Sequence, residues 1–203
     1  AGPQTGGKND NQYSFTPIIA NGGVSNIEST VAGSNYAGIH RLSTGTSNNN
    51  TGRAAIASSD WYNKLRLGSN EYSFEYRVRF QSLAISGGVN YFSYFGLTNL
   101  VWNLAAGTST ATGVSSGVYF TYTSAGIVGT CENSNTITNT TAFMPTANTW
   151  YKLKFVINAA GTAVDFYIDG VKLGSTITTN IPTADLKITG LIEKTGSNTT
   201  TAS

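Results

Sequence analysis

The chain has 203 residues, a formal net charge of +2 and a charged fraction of only 11%. No cluster of Lys and Arg points to nucleic acid as a partner, and no apolar run reaches the ~20 residues that a membrane-spanning helix needs. Gly, Ser, Thr and Asn replace the missing charges, which disfavours helices. The neutral, hydroxyl-rich surface that this predicts is typical of secreted proteins and virion parts, so we expect a virion or extracellular location.

The first eleven residues are polar and rich in glycine, and they contain no apolar periodicity. We expect residues 1–11 to form a flexible arm and residues 12–203 to form a single domain. The start of the chain lacks the basic segment and the apolar core of a signal peptide. This predicts that a signal has been removed or that export uses another route.

Strand candidates fill the rest of the chain and are separated by turns rich in Gly, Ser and Asn. In Glu71–Phe80, five large apolar residues alternate with polar ones, the pattern of a strand with one buried face. Tyr91–Leu97 is apolar on both faces, which predicts a central strand covered on both sides. In chain order the candidates are Gln12–Ile19, Tyr36–Leu42, Arg53–Ala57, Leu65–Leu67, Glu71–Phe80, Tyr91–Leu97, Gly117–Thr123, Gly126–Cys131, Thr136–Phe143, Trp150–Asn158, Thr162–Ile168, Val171–Leu173 and Asp185–Glu193.

Many short strands without helical periodicity indicate an all-β fold, a two-sheet antiparallel β-sandwich with almost no helix. Asp169-Gly170 between two apolar runs is a strong hairpin signal. The number of candidates favours a two-sheet jelly roll over a single sheet. Alternate residues of the strongest strands should form much of the core, namely Tyr72, Phe74, Tyr76, Val78, Leu153, Phe155, Phe166 and Ile168.

Several segments carry a resemblance to a known family. The order of Trp150–Phe155, Asp165–Val171 and Asn180–Pro182 resembles the C-terminal half of concanavalin A-like lectin/glucanase domains, including laminin-G-like modules. With Gly117–Phe120 and Ile192–Gly196 added, the pattern is similar to jelly-roll domains of bacteriophage and prophage structural proteins. In those relatives a further strand often follows the last segment. The resemblance therefore implies that this strand is missing, comes from the N-terminus or is contributed by another chain.

Glycosidases of this family carry acids in the pattern E-x-D-x-x-E on one strand, where one acid protonates the leaving oxygen and another attacks the sugar. No such spacing occurs in this chain. Glu71 and Glu75 share a face with Arg77 and Arg79, which favours neutralised surface charges. We therefore expect a protein that is not an enzyme, with a glycoside hydrolase as the remote alternative.

A reactive cysteine and a calcium ion are two further kinds of site for which the chain has candidate residues. Cys131 and His40 are the only residues of their types, and a small half-buried thiol is favoured over a nucleophilic pair. Calcium is the one cofactor for which candidate oxygens exist. Their spacing matches no calcium-binding loop, so we expect no cofactor, and the candidate ligands are Asn9, Asp10, Asn11, Asp60 and Asn63.

Aromatic rings in polar loops are the strongest signal for a ligand. Exposed rings can cover the C–H faces of sugars, while amides and hydroxyls bond to sugar hydroxyls. Trp61 and Tyr62 lie in a polar connection, and Trp102 and Asn103 follow the Tyr91–Leu97 strand at the mouth of a loop. These four residues are the predicted carbohydrate-binding site, with packing under a loop as the alternative.

Two classes of function follow. The preferred hypothesis is a non-catalytic structural or adhesive jelly-roll protein of a virion surface or extracellular appendage, with host-surface glycans as candidate ligands. The alternative is a secreted bacterial, lectin-like carbohydrate-binding module.

Residues 1–11 and 198–203 contain too little apolar surface to order themselves. We therefore expect a homo-oligomer, or contact with other structural subunits, through at least one terminus.

Overall fold

The computed structural model of the chain describes residues 15–20, 24–28, 39–44, 53–58, 65–83, 91–99 and 114–194. These ranges contain thirteen strands and no helix. None of them therefore holds a helix that could cross a membrane. The strands are β1 Phe15–Ala20, β2 Val24–Glu28, β3 Ile39–Ser43, β4 Arg53–Ser58, β5 Tyr72–Arg79, β6 Tyr91–Thr98, β7 Gly117–Thr123, β8 Gly126–Asn133, β9 Thr136–Asn139, β10 Trp150–Ile157, β11 Val164–Ile168, β12 Val171–Lys172 and β13 Lys187–Lys194.

The strands form two principal antiparallel sheets and one hairpin. The larger sheet has seven strands in the order β1-β4-β13-β6-β7-β8-β9, and the smaller has four in the order β12-β11-β10-β5. The hairpin β2-β3 lies on the core side of the larger sheet, since its Leu42 packs against the main core cluster and approaches Gly190 of β13. This arrangement confirms the predicted two-sheet antiparallel sandwich.

The core between the two sheets is rich in aromatic rings. Phe155 of β10 is fully buried, and its ring centroid lies 5.3 Å from that of Phe74 and 5.8 Å from that of Phe166. The facing position on β8 is Gly129, where a Cβ would overlap the ring of Phe166, so glycine lets the two sheets approach closely there. Of the eight predicted core residues, Val78, Leu153, Phe155, Phe166 and Ile168 are buried, while Tyr72, Phe74 and Tyr76 are half-buried against the same cluster.

Most predicted strands are present with small shifts at their ends, and there are two exceptions. The sequence predicts no strand at Val24–Glu28, where the structure has β2. The predicted strand Leu65–Leu67 is reduced to one bridge between Leu65 and Leu186. The Asp169-Gly170 hairpin is confirmed, with φ of 51° and 84° at these two residues, the left-handed values that a tight turn between twisted strands requires.

The N-terminal part of the described chain contributes to the larger sheet. β1 pairs with β4 along its whole length, from Phe15 opposite Ser58 to Ala20 opposite Arg53. An N-terminal strand thus occupies the edge of this sheet, where its partner is β4 rather than the last strand, β13. The predicted arm at residues 1–11 and the predicted terminal contacts lie outside the described residues.

Candidate functional site

The larger sheet has a face turned away from the core, which we call the outer face. The registers between neighbouring strands align its residues in rows that run across the sheet. The rows are counted from the end of the sheet at which β6 ends and β7 begins. The first row is Lys187, Thr98, Gly117, Glu132 and Ile137, and the second is Ala57, Thr189, Gly96, Tyr119, Thr130 and Asn139. The third row is Ala55, Leu191, Tyr94, Thr121 and Val128.

A tyrosine and a glutamate form the polar centre of the outer face. The Tyr119 hydroxyl donates a hydrogen bond of 2.6 Å to Glu132 Oε2, and the two residues are only 3% and 4% exposed. Gly117 makes this contact geometrically available. A Cβ at Gly117 would lie 2.8 Å from Tyr119 Cδ1, so the tyrosine ring lies over the glycine and its hydroxyl reaches Glu132, the cross-strand partner of Gly117.

The electrostatics of this pair follow from its burial. Burial raises the pKa of Glu132, and the hydrogen bond from Tyr119 offsets part of that rise. Burial also raises the pKa of Tyr119 well above its ordinary value, and the hydrogen bond to Glu132 raises it further. Tyr119 therefore stays protonated at neutral pH and serves as a hydrogen-bond donor rather than as a base.

Tyr94 provides the most accessible tyrosine ring of the outer face. It is half-buried, with its ring centroid 5.1 Å from that of Tyr119 in an edge-to-face arrangement and 5.0 Å from that of Phe92. Burial raises the pKa of Tyr94, and the negative charges of Glu132 and Glu193 raise it further. No hydrogen bond of its hydroxyl occurs within the described ranges, and its ring packs against the small buried cluster of Ala55 and Leu191.

A line of hydroxyl and amide groups runs beside the rings. Thr121 Oγ1 and Thr130 Oγ1 lie 3.3 Å apart, and Thr130 Oγ1 donates to Asn139 Oδ1 over 2.9 Å. Because the Thr130 proton points to Asn139, Thr121 acts as the donor to Thr130. Asn139 is exposed, and in the part of the chain that the structure describes its amide nitrogen has no protein partner. The line therefore ends on two N–H groups that face solvent.

The predicted binding residues Trp61, Tyr62, Trp102 and Asn103 lie outside the described residues. The strands show where their segments attach. β4 ends at Ser58 and β6 ends at Thr98. The registers place both strand ends at the same end of the sheet as Glu132. The last described residues before these segments, Ser58 and Asn99, therefore lie at the same end of the larger sheet.

Asn99 fixes the base of the segment 100–113. Its Oδ1 accepts hydrogen bonds from the backbone N–H groups of Ser115 and Ser116, at 3.2 and 3.0 Å, and its Nδ2 donates to Ser115 Oγ at 2.8 Å. The Asn99 N–H also donates to the Ser116 carbonyl. These bonds form a clamp, which we call the Asn99 clamp, that holds the two ends of the segment together.

The remaining predictions concern the calcium ligands, the thiol of Cys131 and the turn residue Asp169. The five candidate calcium ligands fall outside the described ranges, and within those ranges no group of three His, Cys, Asp or Glu side chains could hold a metal ion. Cys131 is fully buried in the core rather than half-buried, and burial raises the pKa of its thiol to about 12. A thiol with that pKa is not a nucleophile at neutral pH. Asp169 Oδ1 accepts a hydrogen bond of 2.7 Å from the backbone N–H of Lys152 on the neighbouring strand β10.

The outer-face residues Tyr94, Tyr119, Glu132 and Asn139 are absent from the predicted site. Their strands contain apolar residues at most positions, and this pattern predicts coverage on both faces rather than a ligand surface. One signal was present. Glu132 is an acid that follows a run of small and apolar residues on β8, and a carboxylate in such a strand requires a polar partner.

Comparison with known proteins places this geometry in context. Residues 35–203 match the protein family described as SO2946-like, C-terminal domain. No curated protein sequence matches the chain. Similar solved structures include the metal-free carbohydrate recognition domain of Emp46p, at 9% identity and a TM-score of 0.57, covering 93% of this chain and 83% of that one.

Two enzymes have comparable similarity. An endo-β-1,4-glucuronan lyase from the fungus Trichoderma reesei aligns at 14% identity and a TM-score of 0.54, covering 89% of this chain and 79% of that one. A β-glucanase from Bacillus licheniformis aligns at 16% identity and a TM-score of 0.50, covering 95% and 87%. At these identities the likeness shows the fold, and the predicted concanavalin A-like jelly roll is confirmed. The predicted link to bacteriophage proteins stays a prediction.

Proposed function

The chain belongs to the SO2946-like, C-terminal domain family, and we propose that it is a non-catalytic carbohydrate-binding module whose site is the outer face of the larger sheet. The observation that carries this proposal is the half-buried Tyr94 ring beside the hydroxyl–amide line that ends at Asn139. A ring next to a few convergent polar groups is the usual composition of a small-ligand site. The fold likeness to a carbohydrate recognition domain supports a sugar as the ligand.

The polar groups of the site favour an uncharged sugar. Tyr94 offers a hydroxyl, and Asn139 offers two N–H donors at the end of the Thr121–Thr130 line. Glu132 is buried and bound to Tyr119, so it positions that ring rather than meeting the ligand as a free charge. A neutral pyranose presents hydroxyls at its rim and C–H groups on its faces, which fit this set of donors and rings.

The positions of the acids support a non-catalytic role. Glu132 and Glu193 are the carboxylates of the outer face among the described residues, and the registers separate them by three strands and six residues. That corresponds to roughly 20 Å along the strands and about 14 Å across them. Glycosidases need two carboxyl groups within roughly 5–9.5 Å of each other. This pair is too far apart to act on one glycosidic bond.

Affinity electrophoresis with soluble neutral polysaccharides, followed by a glycan array, tests the proposal. We expect retardation by at least one neutral glycan, and at least a tenfold loss of affinity in Tyr94→Ala and in Asn139→Ala. The matched control is Val171→Ala, which removes an exposed apolar side chain from the smaller sheet, outside the outer face. Absence of neutral-glycan binding, or equal binding by Tyr94→Ala and the wild type, would overturn the proposal. Glycan cleavage that Glu132→Gln abolishes would replace it with a hydrolase.

The virion-surface role and the homo-oligomer stay predictions that rest on the sequence resemblance and on residues 1–11. Sedimentation of the full chain and of a variant without residues 1–11 tests them. A loss of assembly on truncation, with the sandwich still folded, would support a structural role. Unchanged assembly would favour the free binding module.

A further inference from the structure

The smaller sheet also has a face turned away from the core, and this face collects positive charge. We call it the basic face. Five of the twelve Lys and Arg residues of the chain lie there, with two carboxylates from the same strands. Within these strands the cations outnumber the carboxylates by three, and Glu71, which directly precedes β5, is a further exposed carboxylate beside them. Its cations are Arg77, Arg79, Lys152, Lys154 and Lys172, and its carboxylates are Glu75 and Asp165.

Both carboxylates of the basic face are engaged by lysines. Asp165 Oδ1 lies 2.8 Å from Lys172 Nζ, and Glu75 Oε2 lies 3.6 Å from Lys152 Nζ. Within the described ranges, Lys154 and Arg79 have no ion pair. Neither carboxylate therefore forms an ion pair with these two cations, although Glu75 is the cross-strand partner of Lys154.

The register also sets like charges against each other. Arg77 of β5 lies directly opposite Lys152 of β10. Like charges at directly opposed positions of an antiparallel pair destabilise a sheet. Glu75, which pairs diagonally with Lys152, offsets the repulsion only in part because it lies at 3.6 Å and both side chains are more than 40% exposed.

Arg79 is the best-positioned cation of the basic face. Its guanidinium carbon lies 5.2 Å from the ring centroid of Trp150, its cross-strand partner, and its Nε is buried without a hydrogen-bond partner. The cation–π contact restrains the guanidinium against the sheet. A restrained guanidinium matches the two oxygens of a carboxylate with little further loss of side-chain freedom.

We propose that the basic face binds a carboxylated polysaccharide, with Arg79 and Lys154 as its main contacts. The rings of Trp150 and Tyr167 lie on the same face and provide surfaces for the C–H groups of sugars. The charge density supports this polymer over nucleic acid. Double-stranded DNA carries one charge per ~1.7 Å, whereas a uronate chain carries at most one carboxylate per sugar. The wider charge spacing of the uronate chain matches a face on which only Arg79 and Lys154 are the proposed contacts. This site is separate from the outer face and does not depend on it.

Titration of the full chain with polygalacturonate by isothermal calorimetry tests the proposal. We expect binding at low salt that weakens as salt rises, with at least a tenfold loss in Arg79→Gln and a clear loss in Lys154→Gln. Arg66→Gln is the matched control, because it removes the same type of charge from an exposed position outside the basic face. Tyr94→Ala should bind polygalacturonate like the wild type, which separates this site from the neutral-glycan site.

Three results would overturn the proposal. Equal affinities of Arg79→Gln and Arg66→Gln would show that only net charge matters. Binding of dextran sulfate as tight as that of polygalacturonate would remove the preference for carboxylate, and equally tight binding of random-sequence duplex DNA would remove the assignment to a polysaccharide. Lys154→Gln keeps the test decisive if Arg79→Gln does not fold, because the Lys154 side chain has no hydrogen bond or ion pair among the described residues and the substitution keeps the backbone pairing of β10.

Discussion

Tyr119 and Glu132 are joined by a 2.6 Å hydrogen bond between neighbouring strands, on the face of the larger sheet that does not meet the core. Burying a carboxylate is costly unless a donor satisfies it. The donor here is a ring whose position depends on Gly117, because any side chain at that glycine would displace it. Three residues on two strands therefore determine the arrangement of the outer face.

The first prediction concerns the pH dependence of stability. Burial raises the pKa of folded Glu132 above its ordinary value of 4.5, so folding favours the protonated form. The stabilisation this gives is complete below about pH 4.5 and is lost as pH rises through the folded pKa. We expect Glu132→Gln, which keeps an acceptor for Tyr119, to gain stability relative to the wild type between pH 4 and pH 8. Urea unfolding at both pH values measures this. A constant difference would contradict it.

Asp165 should show the opposite dependence. The hydrogen bond and charge of Lys172, with a further hydrogen bond from Thr176, lower the pKa of Asp165 below its ordinary value of 3.8. The stabilisation is present above about pH 3.8 and is lost as pH falls through the folded pKa. We expect Asp165→Asn to be less stable than the wild type at pH 7 and nearly equal to it at pH 2. A deficit of the same size at pH 2 would show that the loss comes from packing.

The third prediction tests the hydroxyl of Tyr119. Tyr119→Phe removes the donor and leaves the buried Glu132 without this hydrogen bond, which should cost ~1–3 kcal/mol in the free energy of unfolding at pH 7. Tyr94→Phe is the control, since no hydrogen bond of the Tyr94 hydroxyl occurs within the described ranges. Thermal and urea unfolding of both variants give the comparison. Equal effects of the two substitutions would mean that the bond contributes nothing.

The fourth prediction concerns the core. Phe155 is fully buried between the sheets, so Phe155→Ala should cost ~3–5 kcal/mol. Phe74 contacts the same ring but is half-buried, so Phe74→Ala should cost less. Urea unfolding with unchanged m-values measures both losses. A larger loss of unfolding free energy for Phe74→Ala than for Phe155→Ala would contradict this prediction, because it would mean that the half-buried ring contributes more to stability than the buried one.

The strands that could be predicted are those whose own residues carry a period of two. β10 alternates Tyr151, Leu153, Phe155 and Ile157 with polar or half-buried neighbours, and both its extent and its buried face follow from that pattern. β2 has the sequence VSNIE, in which two apolar residues stand three positions apart. That spacing carries no strand signal, and the segment becomes a strand by pairing with β3.

The candidate site was harder to predict because it depends on register. No feature of the residues next to Gly117 in the sequence shows that it lies opposite Glu132. The space for the Tyr119 ring exists only after β7 and β8 have paired. Aromatic residues in polar loops can be recognised from sequence alone, which is why Trp61 and Trp102 were predicted. A tyrosine on a strand that is apolar at most positions gives no such contrast.

The Asn99 clamp has a consequence for protein engineering. Asn99 joins Ser115 and Ser116 through side-chain and backbone hydrogen bonds, so the ends of the intervening segment are held whatever its composition. The entropy of closing a loop grows slowly, by about 0.6 kcal/mol for each doubling of its length. We therefore expect libraries of foreign peptides to be accepted between Asn99 and Ser115, which would make this jelly roll a display scaffold.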